Sequence, residues 1–193
     1  MPASHAQHGA VIEDFGEWKR AAAYVLPGES RAQAIRREAR AVRGGIGLFD
    51  ASPLGKIEVH GPDALEFLNR LYLNDLTKLA PGRVRYALML RESGVIFDDG
   101  TVVMLAPEHF LVTTTSGAAG RVVSWMEEWR QCEWPQWQLA ITPVTDQWAT
   151  VSLAGPRARD VIRRLDFGVD FAPEAFPHMT LREERFDGAP PRI

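Results

Sequence analysis

The chain has 193 residues and 21.5 kDa, is 46% hydrophobic and 24% charged, and sets 22 Lys and Arg against 25 Asp and Glu for a net charge of −3. That composition excludes a disordered tail and allows one domain, or one and a half, with a sizeable core; the lack of a basic excess argues against nucleic acid or an anionic membrane as partner. A single cysteine, Cys132, excludes an internal disulfide framework, and no apolar run approaches the roughly 18 residues of a transmembrane helix. The polar start MPASHAQHGA is no signal peptide, so a soluble, cytoplasmic chain is expected.

Residues 1–29 read as an irregular arm with two aromatic anchors, Phe15 and Trp18. A helix follows over about 30–43, opened by Ser30 and Gln33 as a capping box and closed by Gly44 and Gly45. Ile35, Ala39 and Val42 form its expected apolar stripe; Arg31, Arg36, Arg37, Arg40 and Arg43 read as a solvated face. From Gly55 the period changes to two, with Ile57 and Val59 alternating against Lys56, Glu58 and His60, a half-buried strand. Gly61 and Pro62 break it, and Ala64, Leu65, Phe67, Leu68 and Leu71 make the apolar face of a second helix. Strands are expected over 86–90, 95–97, 101–105 and 110–114, with Asp98-Asp99-Gly100 interrupting the middle two. A helix over about 117–129, a Trp-rich connection from Trp134 to Trp137 and a strand near 139–141 complete this part.

The run at 61–71 can be laid on that at 155–165, with Gly, Pro, Ala, Arg and Leu identical, and each copy follows an alternating strand. A strand, Gly-Pro break and helix used twice points to an α+β architecture with duplicated strand–helix units rather than a doubly wound parallel sheet. The expected organisation is the arm 1–29, a first subdomain over 30–145, and an incomplete second unit over 146–193. The Pro- and charge-rich ending makes that unit read as cut.

No P-loop or dinucleotide fingerprint is present, and the five histidines show no metal spacing apart from His5 and His8 near the N-terminus, so no metal site is expected. Cys132 reads as structural. Asp98-Asp99-Gly100 remains. Asp-Gly between apolar runs is the usual hairpin signal, where Gly supplies positive φ. Against that, Ser93-Gly94 already supplies a turn, and a carboxylate among β-branched neighbours is suited to holding a proton.

The runs GLFDAS (47–52), GKI (55–57), GPDA (61–64), Asn74-Asp75, YALML (86–90) and GVIFDD (94–99) together resemble the glycine-cleavage T-protein (aminomethyltransferase) family. EDFGEWKR (13–20), TTTSGAA (113–119), EEW (127–129) and VTDQWA (144–149) are most similar to the folate-binding C-terminal region of sarcosine oxidase alpha subunits. The resemblance implies a T-protein-like folate-binding fold built on an antiparallel sheet, C-terminally truncated, and a tetrahydrofolate site. In it Asp99 lies against the reactive pterin nitrogens as the catalytic group, and Tyr86 and Thr101 line the pocket. Leu54 stands where T-proteins carry a methionine that packs on the folate, and Thr115 where they often carry Asn.

The implied chemistry is the trapping of a methylene group from oxidised sarcosine, or a related N-methyl amine, as 5,10-methylenetetrahydrofolate. The flavin oxidation site lies outside the region resembled, and other oxidase subunits are the implied partners. The alternative implied reading is a truncated or non-catalytic folate-fold module serving in subunit assembly. The Cys-containing signature of the iron–sulfur-assembly relatives is not found here.

Overall fold

The computed structural model describes residues 2–16, 18–184 and 192–193; Glu17 of the EDFGEWKR run and the 185–191 stretch, with Pro190 and Pro191, lie outside the described residues. It divides into two compact units, Met1–Pro53 with Trp148–Phe167, and Leu54–Gln147 with Gly168–Ile193. This partition interleaves along the chain and departs from the expected boundaries at 30 and 146.

In the first unit the arm is not irregular. A short helix α1 (Pro2–Gln7) leads into an antiparallel hairpin of β1 (Ala10–Phe15) and β2 (Trp18–Tyr24), reversed at Gly16 with φ +62°. Helix α2 (Arg31–Gly44) starts with the expected capping box: Ser30 accepts from the Gln33 N–H and Gln33 accepts from the Ser30 N–H. Its buried residue is Ala34, while Ile35 and Ala39 of the expected stripe are exposed and Val42 is half-buried. All five arginines are exposed, as expected; Arg37 also binds Glu29 and the Tyr24 carbonyl, and Arg31 pairs with Glu13. Strand β3 (Gly47–Asp50) pairs antiparallel with the later β9 (Val151–Ala154).

The second unit is a five-stranded antiparallel sheet in the order β5-β6-β7-β4-β8. Its strands are β4 (Gly55–His60), β5 (Val84–Leu90), β6 (Ile96–Ala106), β7 (His109–Thr114) and β8 (Ala140–Pro143). Helices α3 (Ala64–Leu71) and α4 (Ala119–Cys132) cover one face. There Ile57, Val59, Ala87, Met89, Val102, Met104, Phe110 and Val112 meet Phe67, Leu68, Leu71, Val122 and Met126 in one core. Each apolar side chain fully buried in this layer contributes about 1.5–3 kcal/mol relative to leaving it exposed. Trp134 and Trp137 stack at 4.7 Å and meet the Phe67 ring edge-on. Cys132 is exposed rather than a core residue.

The internal echo is also structural. Gly61 and Gly155 have φ of +139° and +119°, and each is followed by a turn in which its carbonyl accepts from Ala64 or Ala158. The helices start at those alanines, α3 in one copy and α5 (Ala158–Ile162) in the other, two residues beyond the prolines expected in their first turn. A Cβ at Gly61 would stand 2.3 Å from the Gln138 carbonyl oxygen, and one at Gly155 would stand 2.5 Å from that of Gly45. Both glycines are needed for a positive φ and for a close backbone approach.

Candidate functional site

Asp98-Asp99-Gly100 is not a turn. The three residues lie inside β6, which runs without a break from Ile96 to Ala106. The reversal is made earlier, at 91–95, where Gly94 has φ +80° and its N–H donates to the Arg91 carbonyl. A bulge follows: Leu90 pairs with Ile96 and Met89 with Asp98, so Phe97 is the extra residue and joins the core. Gly100 is required for a different reason from the one the dipeptide suggests. A Cβ there would fall 1.9 Å from the carbonyl oxygen of Thr113 on β7.

The period of two then separates the acidic pair. Asp98 shares its side with Val102 and Met104 and points toward the helices; Asp99 shares the other side with Thr101. On that outer face Tyr86 is the register partner of Thr101, and Leu88 that of Asp99. The Tyr86 hydroxyl donates to Asp99 Oδ2 at 2.5 Å. This bond to Asp99, followed by desolvation and the charges of Asp99 and Asp98, raises the Tyr86 pKa, so its phenol remains a donor at neutral pH. Thr101 is fixed by Thr113, whose hydroxyl accepts the Thr101 N–H at 2.8 Å and lies 2.8 Å from the Thr101 hydroxyl. Lys56, the register partner of Thr113, continues the row onto β4; it is 5% exposed and its Nζ donates to the Leu54 carbonyl at 2.8 Å.

The structure therefore brings Tyr86, Asp99 and Thr101 together on the side of the sheet away from the helices, with Tyr86 exposed and Asp99 and Thr101 half-buried. Leu54, 40% exposed, sits one residue before β4, which pairs at Gly55 with Thr114. Thr115 has a different engagement. Its hydroxyl donates to Asp98 Oδ1 at 2.7 Å and its N–H to Asp98 Oδ2 at 3.2 Å. Thr113 and Lys56 were missed in the sequence; the alternation of β4 and the TTT run were the signals available. Among the described residues no group of three or more His, Cys, Asp and Glu could hold a metal ion.

Cavities also lie away from this face. One of about 300 Å³ is lined by Arg70, Tyr72, Arg91, Trp125 and Trp129, and one of about 460 Å³ in the first unit by His5, Tyr24, Phe49 and Asp50. That first-unit cavity also holds a carboxylate with fixed partners, since Asp50 lies 3.0 Å from His5 Nε2 and accepts the Ser52 N–H, whereas the Tyr86–Asp99 pair stands on the side of the sheet away from α3 and α4.

A family model described as the GCVT N-terminal domain matches residues 1–193. The chain belongs to that family. It is 49% identical over 183 residues to the sarcosine oxidase subunit alpha of Corynebacterium sp. (strain U-96), covering 95% of this chain and 19% of that subunit. With the aminomethyltransferase of Koribacter versatilis (strain Ellin345) it shares 32% over 165 residues, covering 86% of this chain and 41% of that protein. The crystal structure of the glycine cleavage system aminomethyltransferase T from Bartonella henselae superposes with a TM-score of 0.79 at 26% identity, over 96% of this chain and 46% of that one. The T-protein-like mixed fold of helices and antiparallel sheet that the resemblance implied is thereby shown. The chain spans about a fifth of the sarcosine oxidase relative and under half of the aminomethyltransferases. Among the described residues no helix is long and apolar enough to cross a membrane.

Proposed function

We propose that the outer face of the second unit binds a reduced folate, and that this aminomethyltransferase-like domain delivers a one-carbon unit to it from an oxidised N-methyl amine such as sarcosine. The observation that carries the reading is the pairing of Asp99 with Tyr86 on the side of the sheet away from α3 and α4.

The residues present suit a pterin. A carboxylate is acceptor-only and can take the N–H donors along a pterin edge, and the half-exposed Tyr86 ring offers a flat apolar surface beside it. Reduced folate, when bound, supplies the two amine nitrogens that accept a one-carbon group. The chain's own part is orientation and charge. Tyr86 takes one lone pair of Asp99 Oδ2, which leaves Oδ1 and the second lone pair of Oδ2 for a ligand. The Asp99 carboxylate offsets positive charge that develops against it, an effect strengthened where water is excluded. Asp99 also stands where a proton can be held or returned, and positioned proton transfer is worth about 10²- to 10⁴-fold. Thr101, held by Thr113, lines the same face, Leu54 just before β4 offers a further apolar contact, and Thr115, bonded to Asp98, supports the face from the other side.

Supporting this setting, the alpha-subunit relatives are named as subunits of an oxidase. The oxidation itself is assigned to a flavin site outside this chain, and other subunits of that type are its partners. An assembly role has one observation in its favour: Leu48 on β3 and Val151 on β9 are 71% and 51% exposed.

Titration of the purified chain with tetrahydrofolate, followed by calorimetry and by quenching of its six tryptophans, tests the proposal. Saturable micromolar binding that Asp99→Asn abolishes supports it. Absence of binding at millimolar ligand, or equal binding by the variant, overturns it.

A further inference from the structure

Asp98 has no part in the function proposed above, yet it is the more unusual of the two carboxylates. It is 6% exposed, in a layer that contains Ala87, Met89, Phe97 and Tyr72. Its two oxygens accept the hydroxyl and the N–H of Thr115, and the N–H of Asp99 bonds to it as well. Burial pushes its carboxyl above the usual range and the charge of Asp99 adds to this, while the bonds from Thr115 and Asp99 oppose the shift. The titratable groups facing it are Asp99 on its own strand, Tyr72 after α3 and Tyr86 on β5. The guanidinium groups of Arg91 and Arg121 lie over the ring of the adjacent Phe97, and Arg121 also donates to the Phe97 carbonyl.

A carboxyl in such a place costs stability that an amide of the same shape would not. Its bonds to Thr115 hold β6 to the loop after β7, and the peptide unit anchored on one side by Asp98 carries Asp99 on the other.

We propose that Asp98 is a positioning residue for the ligand face: by tying Thr115 to β6 from beneath, it fixes where Asp99 and Tyr86 are presented to a ligand. The proposal rests on the folate reading for its ligand. It predicts that stability and function part company. Asp98→Asn keeps an oxygen that can accept the Thr115 N–H, so it binds tetrahydrofolate within about threefold of wild type and melts higher at pH 7. Asp98→Ala removes the tie, and because Thr115 is exposed, water reaches its freed N–H and the fold is kept. Small misplacements at a reacting centre are costly, so this variant binds about tenfold more weakly, with unchanged far-ultraviolet circular dichroism.

Wild-type affinity in Asp98→Ala overturns the proposal, as does a loss in Asp98→Asn as large as that in Asp98→Ala. If the wild-type chain does not bind tetrahydrofolate at all, the folate reading fails and positioning is decided without ligand. Tyr86 ionisation is then followed by absorbance in a Tyr24→Phe background. Both Asp98 variants remove the same charge. A shift in Asp98→Ala beyond that in Asp98→Asn supports positioning, and equal shifts overturn it.

Discussion

Tyr86 and Asp99 are bonded at 2.5 Å although they are not register partners; Tyr86 faces Thr101 and Asp99 faces Leu88 across the β5–β6 pair. The contact is diagonal, between positions offset by two along the strand, and an aromatic side chain can span such an offset. Its placement depends on the register, and the register is set by the bulge at Phe97. A one-residue slip would turn Asp99 toward the helices and place Asp98 outside.

Tyr86→Phe keeps the ring and removes the donor. Binding of tetrahydrofolate is expected to weaken about five- to tenfold, less than in Asp99→Asn, because the carboxylate remains but is no longer fixed. Calorimetric titration of both variants checks the order of effects. A Tyr86→Phe chain that binds as tightly as wild type would show that the bond has no part in recognition. Both substitutions are expected to leave the urea midpoint nearly unchanged, since they alter a partly solvated face.

Gly100→Ala tests why glycine stands beside the acidic pair. A methyl group 1.9 Å from the Thr113 carbonyl oxygen and 2.7 Å from its carbon meets backbone that cannot turn aside. A loss of about 3 kcal/mol in urea unfolding is expected, by overpacking. Gly94→Ala is the contrast. It has φ +80° with nothing within 4 Å, so only conformational strain remains, about 1 kcal/mol. Equal losses at the two sites would refute the steric account.

These two glycines also show what was legible in the sequence. Ser93-Gly94 was readable as a turn because positive φ is what glycine there supplies. Gly100 gave the same local signal for a tertiary reason, an approach to β7 that no neighbouring residue encodes. The strand at Gly55–His60, the helix from Ala64 and the capping box at Ser30 were legible because each satisfies its own backbone groups or shows a clean period. The β1–β2 hairpin was not: AVIEDF and WKRAAAY lack strict alternation, with one face only partly covered. Helix α2 was misjudged in phase, since its buried contact is made by the small Ala34 rather than by Ile35. At the candidate site, Tyr86, Asp99 and Thr101 followed from a family resemblance, whereas Thr113, fixing Thr101 through its hydroxyl, required the strand register.

The acid response of stability has two opposing parts. Burial pushes the Glu58 carboxyl up, but hydrogen bonds from Arg192 at 3.0 Å and His109 at 3.1 Å outweigh it and hold it below its ordinary value. A carboxylate with a depressed folded pKa contributes stability above its unfolded value, about pH 4.3. That contribution is lost as the pH falls through the lowered value. Asp98 has the opposite sign: its raised folded value means that its cost is absent below the unfolded pKa, about 3.9, and appears as the pH rises through the folded one. Glu58→Gln should therefore flatten the loss of stability below about pH 4.3, and Asp98→Asn should raise stability at pH 7. Chemical unfolding from pH 3 to 8 measures both; a Glu58→Gln curve parallel to wild type throughout would exclude this assignment.

Phe67→Ala addresses how the helix-covered face is held. Phe67 is fully buried, and its ring meets Trp134 and Trp137 nearly at right angles, with centroids 5.9 and 6.4 Å away. The two indoles stack on each other at 4.7 Å, and Trp129 stacks on Trp134 at 5.4 Å. Removing the phenyl ring takes away both burial and the edge that seats this stack, so a loss of about 3–5 kcal/mol is expected. The near-ultraviolet circular dichroism should weaken together with it, because the indoles lose their fixed geometry. Phe67→Leu retains most of the volume without the aromatic edge and should cost less than half as much. If Phe67→Ala lost stability while its near-ultraviolet spectrum stayed intact, the indole stack would be self-supporting and Phe67 an ordinary core residue.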